Sequence, residues 1–258
     1  DLDRDGTKDV LAVVCDEKSY PLQKMLLAYI ADSEGKFPEQ PSISVPLDPK
    51  VGTLLLAECT DTAPREIVLL DASGATVMTY QNGQFEQLAS PRFSSLLPSG
   101  SKEPMFLEDA AVDLDGDGTQ EWLIPMPTGY SVRSMDAEKA LVQCDVISEI
   151  RRDGSTYISH RLPAYHHFDY ADAKGLAFLS DEFADFAYGP GWGEHRRFKI
   201  PKNLDEKWEA SSQMKDINQD GFPDLLVTQT KGTINLQALT QVYIASAPFT
   251  YPEQPSLD

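Results

Sequence analysis

Short apolar runs recur along the whole chain, each bounded by Gly, Pro, Asn, Asp or Ser. Val10-Leu-Ala-Val-Val14, Thr53–Ala57, Ile67-Val-Leu-Leu70, Trp122-Leu-Ile124 and Leu225-Leu-Val227 are examples. Runs this short and this rich in Val, Leu and Ile predict buried β-strands rather than helices. Val77–Tyr80 and Phe85–Leu88 flank Asn82-Gly83, a dipeptide that tolerates the positive φ of a tight hairpin. A second hairpin is predicted over Arg151–His160, around Asp153-Gly154, and further strands over Met105–Val112 and Trp208–Met214. Helical periodicity is scarce, and only Met135–Leu141 predicts a helical turn. The fold class expected is all-β.

The apolar runs are preceded by a repeated acidic motif. Asp1-Leu-Asp-Arg-Asp-Gly-Thr-Lys-Asp9, Asp113-Leu-Asp-Gly-Asp-Gly-Thr-Gln-Glu121 and Asp216-Ile-Asn-Gln-Asp-Gly-Phe-Pro-Asp224 each lead into such a run. Glu58–Glu66 and Asp169–Ala177 are degenerate copies before Ile67–Leu70 and Phe178-Leu179. Units therefore start at 1, 58, 113, 169 and 216, with steps of 57, 55, 56 and 47 residues. The likeness of first and fifth units extends further: Ala28-Tyr-Ile-Ala31 matches Val242-Tyr-Ile-Ala245, and Pro38-Glu-Gln-Pro-Ser42 recurs as Pro252–Ser256. A period of this size with about four strands per unit is that of propeller blades, roughly 40–50 residues each.

These motifs resemble the FG-GAP or VCBS repeats of integrin-type and bacterial secreted β-propellers. The resemblance covers all five units, three of them closely. It implies one β-propeller domain over 1–258, calcium in the intact loops, and an extracellular, cell-surface or periplasmic setting. Units two to five carry a strand before their motif and the first does not, so the expectation is a segment of a seven- or eight-bladed ring with open edges at its first and last units.

Calcium takes six to eight hard oxygens. Side chains at positions 1, 3, 5 and 9 and the carbonyl at position 7 supply them, and Gly at position 6 permits the turn. The first loop offers Asp1, Asp3, Asp5, Thr7 and Asp9. The third offers Asp113, Asp115, Asp117, Thr119 and Glu121, and the fifth Asp216, Asn218, Asp220, Phe222 and Asp224. About three Ca²⁺ are expected. These are not EF-hands, because position 12 is Ala12, Ile124 or Val227 within an apolar run. The copy at 58 has Thr60, Thr62 and Ala63 at ligand and turn positions, the copy at 169 has Ala171, Ala173 and Ala177, and neither is expected to bind.

Composition narrows the function. With 41 acidic and 22 basic residues the net charge is −19, which disfavours nucleic acid and anionic membrane surfaces as partners. No apolar run is long enough to span a bilayer. Cys15, Cys59 and Cys144 lack any Cys-x-x-Cys spacing, and are read as buried thiols, with a Cys15–Cys59 disulfide as the alternative. No catalytic fingerprint is present. Phe183–Arg197 mixes aromatics, glycines and arginines, and Tyr188, Trp192 and Arg196 are candidate ligand contacts on an exposed loop, with an ordinary core hairpin as the plainer reading. His166-His167 is a weak metal candidate, since neighbours on a strand face opposite ways. The function expected is a calcium-stabilised module that binds a protein or polysaccharide. The alternatives are a polysaccharide lyase or hydrolase and a structural subunit of an extracellular assembly.

Overall fold

A computed structural model of the chain describes all residues except 17, 20–21, 61–64, 101–103, 107–109, 127–128, 144–147, 151–155, 159–163, 171–172, 180–182, 202–208, 232–236 and 258. The fold is all-β, and the chain divides into two compact units, Asp1–Gln143 and Cys144–Asp258.

The first unit holds three sheets. One is β1 (Val10–Asp16), β2 (Gln23–Tyr29) and β3 (Ile43–Leu47), a simple antiparallel meander. The next contains β4 (Thr53–Ala57), β5 (Glu66–Asp71), β6 (Gly74–Gln81) and β7 (Gln84–Ala89). The short β8 (Met105–Phe106) adds to it in parallel beside β4. The third runs through β9 (Ala111–Val112), β10 (Glu121–Met126), β11 (Gly129–Arg133) and β12 (Glu138–Gln143). The second unit begins with the hairpin β13 (Ser148–Ile150) and β14 (Thr156–Ile158). Two meanders follow: β15 (Ala164–Tyr170), β16 (Ala173–Leu179), β17 (Phe183–Tyr188) and β18 (Glu194–Lys199), then β19 (Glu209–Lys215), β20 (Asp224–Lys231) and β21 (Gln237–Tyr243).

In the second, third and last of the five larger sheets, the strand before the acidic motif lies antiparallel to the strand after it: β4 to β5, β9 to β10, and β19 to β20. In the third and last sheets the motif is the turn between them. In the first sheet the strand after the motif, β1, has β2 as its ladder partner among the described residues. The last sheet repeats the first in detail. Ile30 N–H donates to Ser42 Oγ at 3.1 Å, and Ile244 N–H to Ser256 Oγ at 3.1 Å. The Pro-Glu-Gln-Pro-Ser copies are thus one recurring edge structure: Ile43 pairs with Ala28, and Leu257 bridges to Val242.

Consecutive sheets bury apolar faces against each other within each unit. In the first, Leu26 and Leu47 meet Leu54, Ile67, Leu69 and Met78. In the second, Leu179, Phe186 and Tyr188 pack with Leu225, Val227, Tyr243, Phe249 and Tyr251. Burying side chains of this size contributes about 1.5–3 kcal/mol each. Close approach also matters: a Cβ on Gly175 would lie 2.1 Å from the Phe168 ring on the paired strand.

Three expectations are corrected. Residues 134–137 form a turn closed by Ser134 N–H to Ala137 O at 2.9 Å and lead into β12, so Met135–Leu141 is not a helical turn. The segment starting at Asp169 is not a nine-residue loop. Asp169 lies inside β15, paired with Lys174 of β16, in a much tighter hairpin. Among the described residues, strand numbers run three, five, four, four and three, against about four expected per unit, with the β13–β14 hairpin in addition. That hairpin matches the one expected over 151–160 in its β14 strand; its turn lies outside the described residues.

Candidate metal centres

The three intact motifs fold into one loop, hydrogen bond for hydrogen bond. The N–H of position 6 donates to Oδ2 of position 1, Gly6 to Asp1 at 3.1 Å, Gly118 to Asp113 at 3.1 Å and Gly221 to Asp216 at 3.0 Å. Position 5 N–H donates to Oδ1 of position 3 at 3.2 Å in all three. Position 7 N–H donates to Oδ1 of position 5, at 2.7 Å for Thr7, 2.8 Å for Thr119 and 2.8 Å for Phe222. Such side-chain-to-backbone bonds are what Asp and Asn offer a turn in place of a ladder.

Two positions in the loop carry left-handed backbone. At position 6, Gly6, Gly118 and Gly221 have φ of 90°, 92° and 88°. At position 4, Arg4, Gly116 and Gln219 have φ of 64°, 77° and 61°. The sequence flagged the first, where glycine is constant, and missed the second, where it is not.

Position 9 is a brace as well as a candidate ligand. Its carboxylate accepts the N–H of position 2 in the first, second, third and fifth copies. Asp9 takes Leu2 at 2.5 Å, Glu66 takes Cys59 at 2.7 Å, Glu121 takes Leu114 at 2.8 Å and Asp224 takes Ile217 at 2.8 Å. Glu66, Glu121 and Asp224 are fully buried, as is the side chain of Asp9. In the first and fifth loops the second oxygen accepts another backbone N–H, from Ala31 at 3.0 Å and Ala245 at 2.9 Å. The degenerate second copy keeps this brace, with Thr60 Oγ1 also donating to Glu66 at 2.7 Å.

Carboxylates converge in the first and third loops. Oxygens of Asp1, Asp3 and Asp5 lie within 4.8 Å of one another, and so do those of Asp113, Asp115 and Glu121. Hard oxygens crowded in this way repel one another unless a cation stands among them, and the donor set fits a calcium-type ion. In the fifth loop Asn218 supplies an amide, whose Nδ2 donates to Asp220 at 2.8 Å.

The third loop differs from the others in one respect. Lys139 Nζ, from β12, donates to Asp115 at 2.8 Å, Asp117 at 2.7 Å and Glu121 at 2.6 Å. The lysine's hydrogen bond, with those from Thr119, holds the Asp117 carboxyl well below the usual carboxylate range. Burial pulls the ammonium down, but its bonds to the three carboxylates outweigh this and raise its pKa. Burial pushes Glu121 up, partly offset by Lys139 and the Leu114 N–H. A smaller version of the same pairing is Lys174 Nζ on Asp169 at 2.8 Å in the fourth unit.

The proposed ligand contacts at 183–197 do not form an exposed platform. Tyr188 and Trp192 are buried, Tyr188 against Phe249 and Trp192 with its indole N–H donating to Lys174 O at 2.9 Å. Arg196 is exposed but bonded to Thr250 Oγ1 at 2.7 Å. Phe186 and Tyr188 go into the core because Phe249 packs on the face of β17 that carries them. His167 is exposed on β15 and belongs to no metal-type cluster among the described residues. No disulfide joins Cys15 to Cys59, and Cys144 lies outside the described residues. Sequence reasoning missed Lys24, buried in β2 with Nζ bonded to Val51 O, its pKa lowered by burial despite Cys15 and Asp48 nearby.

An apolar groove of about 580 Å³ lies beside β1, lined by Leu11, Val13, Leu54, Leu56 and Phe106, with Asp1 and Asp9 among its lining residues. No helix among the described residues is long and apolar enough to cross a membrane. No family model matches the chain, and no curated protein matches it in sequence.

Proposed function

We propose that this chain is a calcium-stabilised β-propeller module of the FG-GAP/VCBS type, working outside the cytoplasm as a binding protein and not as a catalyst. The observation that carries the reading is the reuse of one loop. Three separated motifs make the same four hydrogen bonds, and in the first and third of them the acidic oxygens crowd together, a demanding arrangement for a turn with no cation to hold. The regular succession of small sheets, packed face on face within each unit, supports blades. So does the antiparallel strand pair flanking the motif, which recurs within three of them.

For the ligand, the groove beside β1 favours protein over polysaccharide. It is lined mainly by aliphatic and aromatic side chains, and an edge strand offers backbone hydrogen bonds to an extended peptide. The buried state of Tyr188 and Trp192 removes the stacking platform that a sugar would have used.

The test is metal content and melting of purified protein with and without chelator. Bound calcium and a lower melting temperature in chelator are expected. Protein that carries no metal and melts identically in both conditions overturns the reading. Side-by-side peptide and glycan arrays then decide the ligand class, with hits expected on peptides.

A further inference from the structure

We propose that the Lys139 ammonium is the resident cation of the 113–121 loop and competes with calcium there, making it the weakest calcium site of the three. This rests on the calcium reading above. An ammonium has three donors, and Lys139 spends them on one oxygen each of Asp115, Asp117 and Glu121, at 2.8, 2.7 and 2.6 Å. These residues are positions 3, 5 and 9, the same side chains a calcium ion would take. Calcium sits at about 2.3–2.6 Å from its oxygens. Two cations cannot share one cluster of three carboxylates at such distances, so calcium enters only if the ammonium leaves.

Position 9 is held differently in the first and fifth loops. In the first and fifth loops the second oxygen of position 9 is held by a backbone N–H, from Ala31 and Ala245. In the third loop the longer Glu121 side chain gives its Oε1 to Lys139 instead. Lys139 is held near its targets by the sheet: it stands at the start of β12, which pairs with β11, which pairs with β10, whose first residue is Glu121. A main-chain amide cannot be displaced without unfolding the edge, and it leaves the cation position open. A lysine fills that position, and swinging it out leaves it beside a bound dication, where like charges repel.

The experiment is calorimetric titration of calcium into chelator-stripped protein, for the unaltered chain, Lys139→Gln, Lys139→Arg and Asp220→Ala, with circular dichroism to confirm the fold. Lys139→Gln should tighten one site by about tenfold or more while leaving the others unchanged. Lys139→Arg, which keeps the charge, should not. In chelator, Lys139→Gln should melt below the unaltered chain, and calcium should bring the two together. Equal calcium affinities at every site in the unaltered chain and Lys139→Gln, with both folded, overturn the competition proposed here while leaving the calcium reading intact. Failure of the calcium reading looks different: neither the unaltered chain nor Lys139→Gln takes up calcium, and Asp220→Ala changes nothing in the titration, which overturns both.

Discussion

The loops at 113–121 and 216–224 are built on the same backbone, yet they meet positive charge differently. Each closes with the N–H of position 6 on the first Asp and the N–H of position 2 on the last acid. The third loop then receives an ammonium from β12, whereas the fifth ties its last acid to the Ala245 amide and replaces one acid with Asn218. The shape of such a loop is thus a local matter, set by Asx-type bonds and a left-handed glycine. Its charge balance is set by whatever neighbouring strand passes over it. Similar motifs need not be equivalent sites.

The largest expected effect tests whether position 9 is a brace in its own right. Asp224→Ala removes two charge-assisted bonds to backbone N–H groups, one buried and one part-buried, each worth about 1.5–3 kcal/mol, so a loss of about 3 kcal/mol or more is expected in denaturant unfolding. Glu66→Ala, in the degenerate copy, should cost a comparable amount. Both measurements belong in chelator, so that calcium cannot contribute. A Glu66→Ala protein as stable as the parent would show that the brace matters only with metal.

Next in size is the calcium response. At a hundredfold excess over Kd, a site confined to the native state adds about 2.7 kcal/mol. Asp220→Ala should remove most of one such increment, whereas Asp115→Ala should remove clearly less, because Lys139 already neutralises the third loop. Equal losses in calcium-dependent melting would erase the contrast between the two loops.

Smaller, and equal on both sides, should be the cost of Gly118→Ala and Gly221→Ala. Both glycines hold left-handed φ, at 92° and 88°, and a Cβ at either would meet nothing within 4 Å. Only the backbone penalty of about 1–2 kcal/mol remains. Unequal values in urea melts would mean that the ammonium strains the loop it enters.

The effect that is smallest at neutral pH, where the thiol is protonated folded or unfolded, concerns the copy with Thr60 and Thr62 at ligand positions. There Cys59 takes position 2, and burial, then the charge of Glu66, push its thiol from 9.0 up to about 12 against a lowering contact with Trp122. The unfolded thiol ionises first, so above pH 9 the folded state binds more protons and stability falls as pH rises toward 12. Cys59→Ala should flatten that limb of the stability profile. A native thiol titration at pH 8 should find Cys59 slow to react; rapid labelling would contradict its burial.

Much of this was legible in sequence because it is short-range. The strand β4 spans the predicted Thr53–Ala57, Asn82-Gly83 is the β6–β7 turn, and the three intact motifs are loops ahead of β1, β10 and β20. Recurrence also carried weight: the matching Pro-Glu-Gln-Pro-Ser segments do make matching bonds. Where local pattern was ambiguous the reading failed. Asp169–Ala177 keeps the period but not the loop, since Asp169 and Lys174 pair across a tight hairpin. At 183–197, by contrast, the plainer reading of a core hairpin holds: Tyr188 and Trp192 are buried, Tyr188 against Phe249.

By itself, then, the sequence determined the all-β class, the places of the acidic loops and the residues able to offer oxygens. Each of these depends on contacts within about nine residues: Asx bonds, glycine φ and the two-residue period of a strand. Tertiary structure alone decided which acids are buried, that position 9 holds the loop to its neighbouring strands, and that Lys139 enters the third loop from 18 to 24 residues away. Those outcomes depend on how strands pair and which side chains they bring together, and no spacing along the chain encodes that an ammonium from one strand will sit among the carboxylates of another's turn.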